Sequence, residues 1–299
     1  MGHSLETSVP SLLLLVNRHS RYGEAGVDGV AKRLSSHGFT VQQVTPDTPA
    51  EGVLLLRRYC AMADVIVVGG GDGTFNQLGA ALARCGRPVG ILPLGTANDL
   101  AHSLNIPNDP DEAAEVIVRG IKKRIDYGEA NGVAFFNAAN VGLGTSVDLE
   151  LTTREKRRWG VIGYLRALRR AWKRNQPFVA EIVCDGRQRR EHLMHLVVGN
   201  GRRHGGGILI QEEADVADGI FHLYGIRPQP WWRLPRTATG IWRGAQPGSA
   251  AMRDDGREIR ITTSPPLPVA ADGELITHTP TLFRVVPEAI EVFVPEADS

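Results

Sequence analysis

A parallel α/β domain of Rossmann-like type, followed by an antiparallel β-sandwich, is the fold that this 299-residue sequence predicts. Two observations carry the first half. Apolar runs such as Leu12-Leu13-Leu14-Leu15-Val16 and Val65-Ile66-Val67-Val68 lack polar alternation, which marks strands buried on both faces, as in a parallel sheet covered by helices. These runs alternate with helical stretches, and that rhythm implies right-handed crossovers. The third observation concerns the second half: from Gly132 onward, short alternating runs separated by turn residues replace the strand-helix rhythm. The predicted domains are residues 1–127 and 128–299, with room for the extreme C-terminus to pack back on the first.

Composition bounds the function. With 42% hydrophobic residues, the chain can bury two moderate cores. A formal net charge of +1 argues against a dedicated nucleic-acid binder, whose footprint is usually a strongly basic domain. Cys60, Cys85 and Cys184 lie far apart in sequence and form no metal spacing. Their odd number fits a reducing compartment, and their expected role is structural filler. No apolar run is long enough to span a bilayer, and Leu12 to Val16 is too short for a signal-peptide core. A soluble cytosolic protein is the expectation.

In order, residues 1–10 are expected to be disordered, and the first strand ends at Asn17. A helix over 24–37, a strand over 39–44 ending before Thr45, and a helix over 49–62 lead to the Val65 strand. Ligands on parallel sheets sit beyond the carboxyl ends of the strands. Such an end is occupied by Gly69-Gly70-Gly71-Asp72-Gly73-Thr74, where glycines permit positive φ and close backbone approach. Thr74 and Gln77 stand at capping-box spacing and predict a helix over 75–85, with its positive end facing an anion. Asp72 would repel a phosphate unless a metal ion or a substrate proton lies between them. The next strand, Val89-Gly90-Ile91-Leu92, leads into Pro93-Leu94-Gly95-Thr96-Ala97-Asn98-Asp99. That loop repeats the design, with Gly95 to turn and Thr96 to Asp99 at capping spacing.

The segments at 70–74 and 93–99 resemble the nucleotide-binding signature of the diacylglycerol kinase catalytic-domain family of lipid kinases. NAD kinases and phosphofructokinases carry a similar first loop; the second loop is the specific one. The resemblance implies ATP contacts from Asn17, Thr45, Gly70, Gly71, Asp72, Gly73, Thr74, Gly95, Thr96 and Asn98. Two positions depart from the pattern: Arg18 replaces a proline and Gln77 a glutamate. A helix over 111–120 and a strand over 121–126 follow. Asp126 resembles an aspartate that the family places between its domains, where with Asp72 and Asp99 it would hold magnesium through waters.

The second half reads as strands at 133–138, 178–184, 192–198, 220–224, 258–263, 269–271, 282–286 and 290–294. Glu155 to Arg174 reads as a basic amphipathic helix that packs on the sandwich or meets an anionic membrane. Trp231, Trp232 and Trp242 with neighbouring arginines suit either a core or a bilayer interface. Asn200 to Gly207 resembles the family's glycine loop on the cleft side. Ala214 to Ile220 resembles a segment that binds a structural magnesium, which would take oxygens from Asp215, Asp218 and the Ile220 carbonyl; Glu212 stands where the family has proline. Asp272-Gly273-Glu274 is a hairpin turn by composition. By resemblance Glu274 is the general base, with Asp72 second, and the active site lies in the cleft between the domains.

The implied reaction is transfer of the γ-phosphate of ATP, with Mg2+, to a lipid hydroxyl, diacylglycerol first, at an anionic membrane surface. Sphingoid bases, ceramide and phosphatidylglycerol are the alternative acceptors, and an inactive nucleotide- or lipid-binding relative is the alternative class. A two-fold homodimer is compatible with these residues.

Overall fold

The computed structural model describes residues 9–18, 23–142, 176–200, 203–204, 208–209, 216–233 and 250–296. The chain divides into two compact units, residues 1–125 with 288–299, and residues 126–287. The expected helix over 155–174, Asp215, Trp242, residues 1–8 and most of the Asn200 to Gly207 loop lie outside the described residues.

In the first unit, strands β1 (Ser11–Val16), β2 (Thr40–Val44), β3 (Val65–Gly70) and β4 (Val89–Pro93) are parallel, in the order β2-β1-β3-β4. Leu12 to Leu15 and Ile66 to Val68 are at most 1% exposed, so side chains on both faces of β1 and β3 are buried. That is why these runs show no alternation. The connecting helices are α1 (Gly23–Ser36), α2 (Pro49–Tyr59), α3 (Asp72–Cys85), α4 (Asp99–Ser103) and α5 (Pro110–Arg119). Their starts follow local chemistry where capping residues are available. Thr48 caps α2 through the Glu51 N–H, and Asp109 caps α5 through the Asp111 and Glu112 N–H groups, each followed by proline.

Strand β5 (Lys122–Ala130) carries the chain into the second unit, whose strands are β6 (Val133–Phe135), β7 (Ala138–Gly142), β8 (Phe178–Cys184), β9 (Arg187–Leu193), β10 (His195–Gly199), β11 (Arg203–His204), β12 (Ile208–Leu209), β13 (Phe221–Ile226), β14 (Ala251–Gly256), β15 (Glu258–Ser264), β16 (Pro268–Ala271), β17 (Glu274–His278) and β18 (Thr281–Phe293). One antiparallel sheet runs β14-β13-β10-β7-β16-β17; against it lie β18, β15, β8 and β9. Between the sheets Phe135 stacks on Phe221 at 5.8 Å and meets Phe283 edge-on at 6.3 Å. Around them Ala139, Val141, Ile182, Leu196, Val198 and Ile261 are fully buried. This is the sandwich core.

Several boundaries differ from expectation. The run at 133–138 is two strands, β6 and β7, because Phe136 and Asn137 turn away from the ladder. The runs at 282–286 and 290–294 are one 13-residue strand, β18, whose far end pairs Val292 with Val89 of β4 in the first unit's sheet. The cysteines also differ: Cys60 and Cys85 form a disulfide with a Cα–Cα distance of 5.9 Å. They are 25 residues apart, but α2 and α3 pack together and end side by side. Only Cys184 is the expected buried filler.

Candidate functional site

In the first unit the carboxyl ends of β1, β2, β3 and β4 lie along one sheet edge, with Val16 in register with Gly69 and Gly70 with Pro93. Asn17, Thr45 and both glycine loops therefore share that edge. The loops are fastened to each other. The Leu94 N–H donates to the Gly70 carbonyl at 3.0 Å. A Cβ on Gly95 would stand 2.5 Å from Gly71 Cα, and one on Gly70 would stand 2.5 Å from Thr74 Oγ1. These glycines serve close approach, not the positive φ expected of them, since none of the three is left-handed.

Neither expected capping box forms. Helix α3 begins at Asp72, three residues before the expected start, behind Gly71 and with no side-chain cap. Thr74 Oγ1 instead accepts from Asn17 Nδ2 at 3.0 Å. In the second loop Asn98 is left-handed, with φ 52°, and its amide closes the loop on itself: Oδ1 accepts from the Gly95 N–H at 2.9 Å and Nδ2 donates to the Gly95 carbonyl at 3.2 Å. The cap of α4 comes from the other loop. Asp72 accepts the N–H of Asp99 at 3.1 Å and of Leu100 at 3.0 Å. Asp72 is thus a brace between the loops, and the first N–H groups of α3 are left without a side-chain acceptor, an anion-binding arrangement. Thr96 and Gln77 are exposed, Thr45 is half-buried and Asp99 is buried. Arg18, where the family has proline, pairs with Asp47 at 2.6 Å.

The second unit places its candidates differently. Glu274 opens β17, exposed, after a hairpin turn in which Asp272 and Gly273 have φ of 46° and 86°. Asp272, by composition only a turn residue, has a carboxylate that accepts three backbone N–H groups, from Phe136 at 3.0 Å, Asn137 at 3.2 Å and Ala138 at 2.9 Å. It ties the Glu274 turn to the start of β7. Beside it, Asn137 is 1% exposed with neither amide atom hydrogen-bonded, and Oδ1 of Asn140 and of Asn200 also have no partner. Buried amides left unmet are rare in protein interiors.

The expected metal ligands are engaged with protein groups. Asp126, 1% exposed, accepts the Gly219 N–H at 2.6 Å. Asp218 accepts the Ile220 N–H at 3.1 Å and pairs with His222 Nε2 at 2.9 Å, while His222 Nδ1 meets Asp255 at 2.8 Å. Burial opposes charge on His222, but the hydrogen bonds and charges of Asp218 and Asp255 outweigh it and raise the imidazole to about 9. Each Asp218 oxygen thus faces a protein group, Oδ1 the Ile220 N–H and Oδ2 His222 Nε2. Among the described residues no three His, Cys, Asp or Glu side chains gather as a metal-binding group. Asp215, the other carboxylate expected there, lies outside the described residues, and no step is routed through a metal at this place.

Comparison with known proteins adds two domain matches: a diacylglycerol kinase catalytic domain over residues 11–130, and a YegS C-terminal NAD kinase beta sandwich-like domain over residues 138–294. The "Probable lipid kinase YegS-like" of Pseudomonas aeruginosa is 32% identical over 77% of this chain and 76% of that protein. The "Diacylglycerol kinase" of Mycobacterium tuberculosis is 29% identical over 98% of both chains. One further relative is longer, and the matched region spans 55% of it. The fold is shared with a crystal structure of a diacylglycerol kinase from Bacillus anthracis str. Sterne, with a TM-score of 0.77 and 21% identity over 97% of this chain and 98% of that one.

Proposed function

This chain belongs to the diacylglycerol kinase catalytic-domain family of lipid kinases, and from that premise we propose that it transfers the γ-phosphate of ATP to the hydroxyl of diacylglycerol, giving phosphatidic acid. The observation that carries the reading is the pair of loops held backbone to backbone at Gly71 and Gly95, with the N-terminus of α3 left uncapped beside them. Phosphoryl transfer needs mainly positioning and charge stabilisation. In this reading the α3 N–H groups receive phosphate oxygens, and Asn17 and Thr74 hold the wall of the loop through their mutual hydrogen bond. Magnesium accompanying ATP would be held through waters by Asp72 and Asp99, since both Asp72 oxygens already accept backbone N–H groups, and would supply charge neutralisation to the phosphates.

Glu274 is assigned as the acceptor of the lipid hydroxyl proton. It is exposed on a turn that Asp272 holds in place, so its carboxylate is positioned without being buried. Leu275, next to it, is 64% exposed and offers an apolar side chain to an acyl chain. No helix among the described residues is long and apolar enough to cross a membrane. In the proposal, the lipid is taken from a membrane that the enzyme meets peripherally.

Radiolabelled ATP with diacylglycerol, sphingosine, ceramide or phosphatidylglycerol in mixed micelles tests this directly. Label in phosphatidic acid is expected. Label on a different lipid would move the acceptor assignment, and no label on any lipid, with ATP still bound, would defeat the kinase reading.

A further inference from the structure

At the end of the first unit's α2 and α3 opposite the glycine loops, Cys60 caps α2 and Cys85 closes α3. We propose that this pair is a reversible thiol–disulfide exchange site for anionic low-molecular-weight thiols and their disulfides. The Cα–Cα distance of 5.9 Å is within bridging range, and both residues are half-buried, so the sulfurs can be both joined and reached. They line a surface groove of about 400 Å3 with Leu56, Ala81, Arg57 and Arg84. Leu56 and Ala81 are buried and form an apolar floor; Arg57 and Arg84 are exposed cations, and among the described residues no carboxylate lines the groove.

The arginines answer a physical need. Both sulfurs sit at helix C-termini, where the macrodipole disfavours the thiolate that performs exchange. Guanidinium groups offset that field and attract a negatively charged reagent. Cys184 is the internal contrast: burial pushes its thiol up and Asp254 adds to the effect, so it is a poor nucleophile.

The chemistry is closed by the reagent. From the reduced pair, one cysteine thiolate attacks a small disulfide R–S–S–R, forming a protein–S–S–R bond and expelling RS−. The second cysteine thiolate then attacks the protein sulfur of that mixed disulfide, forming the Cys60–Cys85 bond and expelling the second RS−. The two thiol protons pass to the expelled thiolates, and two electrons move from the protein to the small disulfide. Reduction is the reverse. Because α2 leaves the Thr45 loop and α3 leaves the Gly71 loop, the bond ties the far ends of the two helices that start at those loops.

The test uses the full chain, reduced and then mixed with oxidised glutathione, which is anionic, or with cystamine, which is cationic. Alkylation-quenched peptide mapping follows each cysteine with time. The expected result is a Cys60–Cys85 cross-link with Cys184 still free. Cys60→Ser should stop at a mixed disulfide on Cys85. In an Arg57→Gln/Arg84→Gln double variant the glutathione-to-cystamine rate ratio should fall roughly fivefold, the scale of two exposed charge contacts. Absence of the cross-link, oxidation of Cys184 as fast as the pair, or an unchanged rate ratio in the double variant would each overturn the proposal.

Discussion

The dipeptide Asp-Gly occurs at a candidate position in each unit, at 72–73 and at 272–273, and the two copies adopt different backbones. In the first unit it opens α3; in the second both residues are left-handed and make the tip of a hairpin. The carboxylates nevertheless do the same work. Asp72 gathers two N–H groups at the start of α4, and Asp272 gathers three at the entry to β7. What differs is how the surrounding segments are held. Beside Asp72 the first unit's loops also need backbone approach, at Gly71 and Gly95, where nothing larger than glycine fits. At the Asp272 turn the space is open, with nothing within 4 Å of a Cβ on Gly273, and the carboxylate alone holds the segments.

That contrast can be broken most sharply at Gly95. Gly95→Ala drives a methyl into Gly71 Cα, which is backbone and cannot swing aside. It should destabilise the chain by about 2 kcal/mol and lower phosphoryl transfer by roughly a hundredfold or more. Urea unfolding and the radiolabel assay report the two effects, and unaffected transfer would remove close approach as the reason for glycine there. Asp272→Ala comes next. Three N–H groups lose their acceptor, which should cost about 2–4 kcal/mol in the same unfolding measurement.

His222 gives a pH-dependent version. Its folded value of about 9 lies above the ordinary 6.5, so the clamp's contribution is complete below about pH 6.5 and is lost as pH rises through 9. Unfolding curves from pH 6 to 10 should show wild type losing on the order of 2 kcal/mol relative to His222→Gln. A constant difference would mean that folding does not raise the imidazole's pKa. The smallest effects distinguish the two Asp-Gly copies. Gly273→Ala should cost about 1 kcal/mol through its left-handed backbone, with no clash, since nothing lies within 4 Å of the added Cβ. Asp72→Ala should cost a similar ~1 kcal/mol as a lost cap. Asp72→Asn keeps one of the two accepted N–H bonds, so a loss of activity far beyond its small stability cost would show that Asp72 also serves phosphoryl transfer.

The apolar strands and the glycine loops were legible because their signals are local: Val65 to Val68 reads as a buried strand, and two such strands each end in glycine. The loops' internal bonding was not, because long-range partners displaced the local ones. Thr74 is taken by Asn17, 57 residues away, and α4 is capped by Asp72, 27 residues away. The His222 clamp was hidden for a related reason. Its cross-strand partner Asp255 lies on β14, whose sequence Ala-Met-Arg-Asp-Asp-Gly has few strand-forming residues. Likewise, only the packing of α2 on α3 reveals that Cys60 and Cys85 meet.

The long last strand has a consequence for biosynthesis. Residues 288–299 belong to the first unit, and Val292 pairs with Val89 at the open side of β4. A nascent chain that has emerged only as far as Pro287 carries β4 with that side unpaired, a sticky edge that invites association with other chains. Ribosome stalling or proteolytic trimming near Pro287 should therefore yield aggregates from the first unit, although nearly all of its residues have already been made.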